Sequence, residues 1–329
     1  MILAGDIGAT NSRLAWFDVA DGALVRGAVR TYPSQRHAGL HEIAAAFMRD
    51  APGSARYACF GIAGPVREGR AEGTNLPWAV DAPELAAALG LEHVILLNDL
   101  EANAWGLATL RDTDLAVLQP GRAAATGNAA VISAGTGLGE AGLVWDGARH
   151  RPVASEGGHA DWAPQGELQS ALWRFLAAEV DHVSVERVLS GPGLESIYRF
   201  LRDAQGVTEP GWLAETLRRE PAAPAISRIA LEGRAEICAR ALSLFVAIYG
   251  AEAGNVALRM LATGGVYVGG GIAPRILPAL EGRTFLDAFT RKGRMQSLLE
   301  DVPVRVVLND QAALQGTARR AAIEAGLLV

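Results

Sequence analysis

One pattern that occurs twice constrains this chain more than any other feature. Near the start, ILAGDIGATNSRLAWFDVADGALV (residues 2–25) reads as strand, glycine-rich turn and second strand, closed by an Asp21-Gly22 hairpin turn. Further on, AAVISAGTGLGEAGLVWDGARHRPVAS (residues 129–155) runs through the same grammar: strand, glycine-rich turn, strand, Asp-Gly turn, strand. An internal duplication of this kind predicts one supersecondary unit used once in each of two domains. A length of 329 residues favours two domains independently.

The elements between the copies are readable as α/β. Asp81-Ala-Pro-Glu84 has the form of a capping box opening a helix that stops near Gly90. HVILL is a short continuous apolar run, as a strand in a covered sheet requires, and a helix follows Asp99. A domain junction is expected near residue 110, with the Pro-, Gly- and Ala-rich stretch 118–129 as a loop soon after it. In ISRIALEGRAEICARALSLFVAIYG, Ile226, Ile229, Ile237, Ala241, Leu244 and Ile248 fall at helical spacing. A strand at Val302 to Leu308 and an Ala-rich helix complete the pattern.

Composition removes several function classes. Half the residues are hydrophobic, and 30 basic against 36 acidic residues give a net charge of −6. With no basic run, nucleic acid is not an expected partner. Cys59 and Cys238 sit among apolar neighbours and read as buried reduced thiols. The opening MILAGDIGATNSRL has no basic region before Asp6, so no secretory signal is expected. The longest apolar run, Ala241 to Ala251, falls short of the ~20 residues of a membrane helix. No membrane association is expected, and the cytoplasm is the expected compartment.

The turns carry the first chemistry. In DIGATN, Gly5 and Gly8 let the backbone approach a ligand, Thr10 and Asn11 offer short donors, and successive N–H groups form an anion nest suited to phosphate. Asp6 at the strand end could hold Mg²⁺ through water. An ordinary hairpin turn is the competing reading. In the second copy, Gly137-Leu-Gly139-Glu-Ala-Gly142 satisfies G-x-G-x-x-G and invites a dinucleotide reading. That fingerprint must open a helix, whereas strand-like sequence follows here. A second phosphate-binding hairpin, with Thr136 and Gly137 at its tip, is the reading that survives. A third cluster, ATGGVYVGGGIAP, has strand character between glycine groups, and Gly269 to Gly271 leave a flat surface for an adenine or ribose. Asp6, Thr136 and Gly270 together suggest one nucleotide gripped from both domains.

Polar groups suited to a polyol lie elsewhere. SEGGHADW sets Glu156 and His159 around two glycines, and carboxylates and imidazoles can bind several sugar hydroxyls at once. HVSVERVLSGPG adds Glu186, which could equally be a solvated helix residue paired with Arg187. TNLPW offers Asn75 as an amide contact and Trp78 as core or wall. Leu-Asn-Asp occurs twice, ending in Asp99 and in Asp310. An Asp between strand and helix is a good N-cap, and it also stands where open α/β sheets place ligand-facing groups.

In chain order, LAGDIGATNSRL, TNLPWAV, LLNDLEANAWG, SAGTGLGEAGLV, SEGGHADWAP, HVSVERVLSGPG, GGVYVGGGIAPR and LNDQAALQG resemble the motifs of bacterial glucokinases, within the hexokinase/actin/Hsp70-like ATPases. The resemblance spans Leu3 to Gly316. It implies two ribonuclease-H-like α/β domains, residues 1–110 with 310–329 and residues 111–309, around a cleft that closes on glucose, in a homodimer. It implies ATP and Mg²⁺ as cofactors, ATP-dependent phosphorylation of the glucose 6-hydroxyl, and Asp99 as catalytic base. Asn98, Asp99, Glu156, His159 and Glu186 match the sugar-binding positions, and Gly137 and Asn75 are expected beside the substrate. The turn Gly5, Asp6, Ile7, Gly8, Ala9, Thr10 and Asn11, with Thr136 and Gly270, is expected to bind ATP. Ala9 and Ser155 stand where many relatives have glycine, and the Cys-rich zinc motif of the ROK sugar kinases is missing. Asp310 is read mainly as an N-cap. A kinase for another hexose and a non-catalytic sugar sensor remain alternatives.

Overall fold

The computed structural model describes residues 1–329 except Pro52, Gly73, Thr74, Asn75, Pro77 and Val329. Contacts divide the chain into two units: Met1–Arg111 with Arg151–Ala154 and Asn309–Val329, and Asp112–His150 with Ser155–Leu308.

The first unit contains β1 (Ile2–Ile7), β2 (Asn11–Ala20), β3 (Ala23–Pro33), β4 (Tyr57–Ile62), the short β5 (Val66–Arg67), β6 (Arg70–Glu72) and β7 (Ala79–Asp81), and β8 (His93–Asn98). Its main sheet has the order β3-β2-β1-β4-β8. β2 runs antiparallel to β1 and β3, and β4 and β8 continue parallel to β1. Asp21 and Gly22, with φ of 52° and 72°, give the β2–β3 hairpin the two positive φ angles of a type I′ turn. The apolar content of β1 follows from cover on both faces. Ile2 and Ala4 pack with Ala102, Leu314 and Ala318 of the helices Asp99–Gly106 and Ala312–Glu324. Leu3 and Ile7 face a separate core with Phe47 and Leu85 of the helices Leu40–Asp50 and Ala82–Leu89. The Asp81 carboxylate accepts from Glu84 N at 3.1 Å, and the helix it opens stops at Gly90 with φ of 67°, as the sequence predicts.

The second main sheet consists of β9 (Leu115–Gln119), β10 (Ala129–Ala134), β11 (Leu138–Trp145), β12 (His150–Ser155), β13 (Gly265–Gly269) and β14 (Val304–Val307), in the order β12-β11-β10-β13-β14-β9, and apart from Arg151–Ala154 of β12 these residues belong to the second unit. Taken in chain order from β10, the first five strands repeat the arrangement of the first unit, with β11 antiparallel to β10, and β13 and β14 parallel. Each unit therefore carries the ribonuclease-H-like α/β core that the resemblance implies.

Two local readings need correction. Leu118 and Gln119 belong to β9 and not to the expected loop, because pairing with the sequence-distant β14 makes an edge strand of them. The helical pattern from Ile226 to Gly250 is two helices, Ala222–Leu231 and Glu236–Met260, separated where Gly233 takes φ of 66°. The second of these has 25 residues, and among the described residues it alone is long and apolar enough to cross a membrane. Its most apolar window is 78% buried, and its side chains build the core around Phe245, Tyr249, Phe285 and Phe289. Cys59 and Cys238 are buried free thiols, as expected.

Candidate active site

In the first unit the predicted residues gather at the carboxyl ends of the parallel strands. Asp6 is the penultimate residue of β1, and Asn98 is the last of β8. The register Asp6↔Gly61↔Leu97 sets Asp6 two strand spacings, about 10 Å, from Leu97, the residue before Asn98. Gly61 puts no side chain between them. The β1–β2 turn is closed by Gly8 N donating to Asn11 O at 3.0 Å and braced by the Ser34 hydroxyl donating to Gly8 O at 2.6 Å. Among the described residues, the N–H groups of Ala9 and Thr10 enter no such bond, so two adjacent donors remain at the tip. Alanine at position 9 thus keeps the donor that a nest needs. Burial pushes the Asp6 carboxyl above the usual carboxylate range; neighbouring Arg13 opposes the shift and Asp310 adds to it. No hydrogen bond to the Asp6 carboxyl occurs among the described residues. A desolvated acid with spare oxygen donors fits a hydrated Mg²⁺, which takes few carboxylates.

At the end of β8 the capping residue is Asn98. Its Oδ1 accepts from Leu100 N at 2.8 Å, and its Nδ2 donates to Gly64 O at 3.0 Å. Asp99 is the first residue of the helix, its Oδ1 accepting from Leu100 N at 2.9 Å. An anionic group suits the partial positive charge of a helix N-terminus. The second Leu-Asn-Asp contradicts the expected N-cap at Asp310. Asn309 Oδ1 accepts from Gln311 N at 2.8 Å, and the last helix begins at Ala312 with no side-chain cap. Asp310 instead faces Arg13, with Nη2 3.5 Å from its Oδ2 and Nη1 donating to its backbone oxygen at 3.4 Å. Sequence spacing could not reveal this pair. Asn75 lies outside the described residues, and Trp78 packs against the core of its own unit.

In the second unit, the β10–β11 turn carries Thr136 and Gly137 at its tip and leads into a strand, so its G-x-G-x-x-G opens no helix. Gly135 N donates to Gly137 O and Gly191 N to Gly135 O, each at 2.8 Å. Here too, two adjacent N–H groups, those of Thr136 and Gly137, make no hydrogen bond among the described residues. Gly270, immediately after β13, has φ of 83°.

The three polyol candidates lie on two loops that both reach Leu138 beside that turn. Glu186 Oε2 accepts from Leu138 N at 2.9 Å, and a Cβ on Gly137 would lie 2.5 Å from the same oxygen. Glu186 is therefore tied into the structure by a backbone bond, not by Arg187. Gly158 packs against Leu138, whose Cβ lies 3.2 Å from where a Gly158 Cβ would be. Glu156 and His159 flank this contact, their carboxylate and imidazole 4.0 Å apart and each side chain 60% exposed. The two loops are zipped together by Trp162 N to Val183 O and Val185 N to Ala160 O, both at 3.0 Å. Ser155, in place of the common glycine, accepts from Gly157 N through its hydroxyl at 2.9 Å.

Two supporting residues escaped the sequence reading. Ser190 caps the helix Gly191–Asp203 and donates to Glu186 O at 2.8 Å, which an S-G-P start could have suggested. The buried Tyr249 hydroxyl accepts from Ala134 N and lies within donating distance of Gly269 O, each at 3.2 Å. It thus ties the ends of β10 and β13 together beneath their glycine turns. Burial raises its pKa, so it stays a neutral donor. Its only trace in the sequence is a tyrosine inside an apolar helical run.

Duplicated ribonuclease-H-like cores, each with a glycine turn between its first two strands, define the actin-like ATPase fold of sugar kinases. The glucokinase family model matches residues 3–324, and the chain belongs to that family. It is 40% identical over 339 aligned positions to a glucokinase from Nostoc sp., covering 98% of this chain and 99% of that one. A glucokinase from Cronobacter sakazakii is 37% identical, with 95% and 94% covered. The crystal structure of a glucokinase from an Antarctic psychrotroph superposes with a TM-score of 0.85 at 33% identity, over 98% of each chain.

Proposed function

We propose that this protein transfers the γ-phosphoryl group of ATP to the 6-hydroxyl of D-glucose, giving glucose 6-phosphate, the entry compound of glycolysis, and ADP. The observation that carries the reading is the placing of Asp99 at a helix N-terminus just after β8, the strand two spacings from the Asp6-bearing β1, in a chain of the glucokinase family.

Phosphoryl transfer rests on positioning and on neutralising spreading negative charge. The Asp99 carboxylate accepts the proton of the 6-hydroxyl while that oxygen forms its bond to the γ-phosphorus and the bond to ADP breaks. Asn98 holds the start of the helix and so the position of Asp99, and presents its amide to the sugar. Asn75 is a further sugar contact in the same unit. Glu156, His159 and Glu186 bind pyranose hydroxyls, a mode of recognition that rejects analogues lacking them. Gly137 lets the substrate approach beside Glu186. The unpaired N–H groups of Ala9 and Thr10, and of Thr136 and Gly137, suit phosphate oxygens. The rest of the first turn, from Gly5 through Ile7 and Gly8 to Asn11, shapes that nest, and Gly270 offers backbone to the nucleoside. Asp6 would hold Mg²⁺ through water, and the metal supplies positive charge to the phosphate oxygens when bound. An ATP-dependent reaction and buried free thiols accord with a cytoplasmic enzyme, and we take the active form to be a homodimer.

Coupled ADP release decides the reading. Glucose should drive ADP formation that neither glucose nor ATP supports alone. No sugar-dependent ADP would leave a sensor on this scaffold, and a clear preference for another hexose in a rate panel would reassign the substrate.

A further inference from the structure

Beneath the Glu156–His159 loop lies a charged cluster that the proposed reaction does not use. Glu140 of β11 is only 3% exposed and Glu252 of the helix Glu236–Met260 only 4%. A Cβ on Gly157 would overlap Glu140 Oε2 and come within 3.1 Å of its Cδ, so the loop backbone rests directly on this carboxyl. Glu252 is well served: Arg259 Nη1 donates to its Oε1 at 2.9 Å and Asn255 Nδ2 to its Oε2 at 2.8 Å. Glu140 is not. Its Oε2 is 3.6 Å from the same Arg259 nitrogen, and its Oε1 is buried without a hydrogen-bond partner.

One guanidinium thus faces two buried carboxyls. The other cation nearby, Lys292, donates to Asn255 Oδ1 at 2.6 Å and Ala251 O at 2.8 Å, and touches neither acid. From the loop side the ionisable groups are Glu156 and His159, both directed to solvent. Two carboxylates buried around one guanidinium cannot both ionise cheaply, and a proton held on Glu140 relieves their repulsion. Burial first, and then the charge of Glu252, push the Glu140 carboxyl up to about 8.

We infer that Glu140 is a positioning residue for the Glu156–His159 loop: its neutral acid, buried beside Glu252, seats Gly157, and its ionisation drives the loop off its sugar-binding shape. The inference rests on the proposed role of that loop in glucose binding. The bound proton is part of the binding-competent state, so apparent affinity falls with the fraction that retains it. Removal of the proton acts through the loop on the sugar and leaves the reacting groups of the first unit alone.

The test compares wild type, E140Q and E252Q. In wild type, glucose KM should rise about tenfold from pH 7 to pH 9, with kcat changing far less. Either glutamine variant removes the second buried charge and should give a flat KM across this range; E252Q serves if E140Q fails to fold. A parallel rise in wild type and variants, or no rise in wild type, overturns the inference. Two readouts need no turnover. Infrared spectra at pH 7 should contain a protonated-carboxyl band that E140Q lacks. Hydrogen exchange at Gly157 and Gly158 should accelerate between pH 7 and 9 beyond the intrinsic rate in wild type only. If both hold while glucose supports no ADP release, the loop device stands and the kinase reading falls. If the band is missing or exchange is equal in all three proteins, the device falls whatever the activity.

Discussion

Asp99 and Asp310 each follow a Leu-Asn pair, and in both places the asparagine closes the turn on the N–H two residues ahead, at 2.8 Å. This is the short reach of an Asx turn, and in each turn it makes the asparagine a closing residue ahead of the aspartate. What each then meets decides its role. Asp99 opens a helix at the sheet edge, so Asp99→Asn should lower kcat by roughly 10²–10⁴-fold with little change in unfolding midpoint. A drop below tenfold would remove it as the base. Asp310, 77% exposed, is paired with Arg13 and adds negative charge near Asp6. Asp310→Asn should therefore cost less than about 1 kcal/mol of stability, since exposed pairs contribute little. Its effect should appear in the pH profile. Loss of the neighbouring charge lets Asp6 ionise more readily, so the acid limb of kcat/KM for ATP should move to lower pH. An unmoved limb would separate Asp310 from the nucleotide turn.

At the scale of elements, the helices Asp99–Gly106 and Ala312–Glu324 meet at their smallest residues. A Cβ on Gly316 would overlap Ala102 O and lie 2.6 Å from Gly106 N. Gly316→Ala must push the helices apart, and should destabilise the first unit by about 1–3 kcal/mol in urea unfolding. Because one of these helices starts at Asp99, kcat should fall with it; full activity in a destabilised protein would show that the site is buffered from this contact. Tyr249→Phe makes the equivalent test in the second unit. It leaves the buried Ala134 N–H without its acceptor, at about 1–3 kcal/mol. Such contacts mark where sequence reading ends. Hairpins, the Asp81 cap and the strand HVILL were legible because their signals are local: turn residues, a capping residue, an apolar run. β9 became a strand only through β14, Asp310 met Arg13 only through the fold, and Tyr249 reached two strand ends from inside a helix. The polyol residues could be named from their motifs, but the meeting of Glu186 and Gly158 at Leu138 is a tertiary fact.

For the molecule as a whole, the duplicated pattern predicted one supersecondary unit used twice, and the structure extends that unit to five strands in the same order in each main sheet, the glycine turn lying between β1 and β2 and between β10 and β11. The charge distribution was not predictable in the same way. Most ion pairs here join exposed side chains, such as Arg174–Glu167 and Arg283–Asp287, and pairs of that kind move global stability little. Glu140 is the exception that should dominate the pH dependence. Its folded pKa of about 8 stands above the 4.5 of an ordinary glutamate, so the folded state binds the proton more tightly than the unfolded chain. Stability from this group is therefore fully present below pH 4.5 and is lost progressively as pH rises to about 8, beyond which the loss levels off. The slope is about 1.4 kcal/mol per pH unit at most, and a few kcal/mol in total once relaxation around the pair is allowed. Glu140→Gln keeps the shape and removes the titration. Urea unfolding of wild type and variant at pH 5, 6.5 and 8 should thus show the variant gaining on wild type at each step, with the gap widest at pH 8. A gap that stays constant across the series would mean that Glu140 is already ionised at pH 5, and that Arg259 alone neutralises both buried acids.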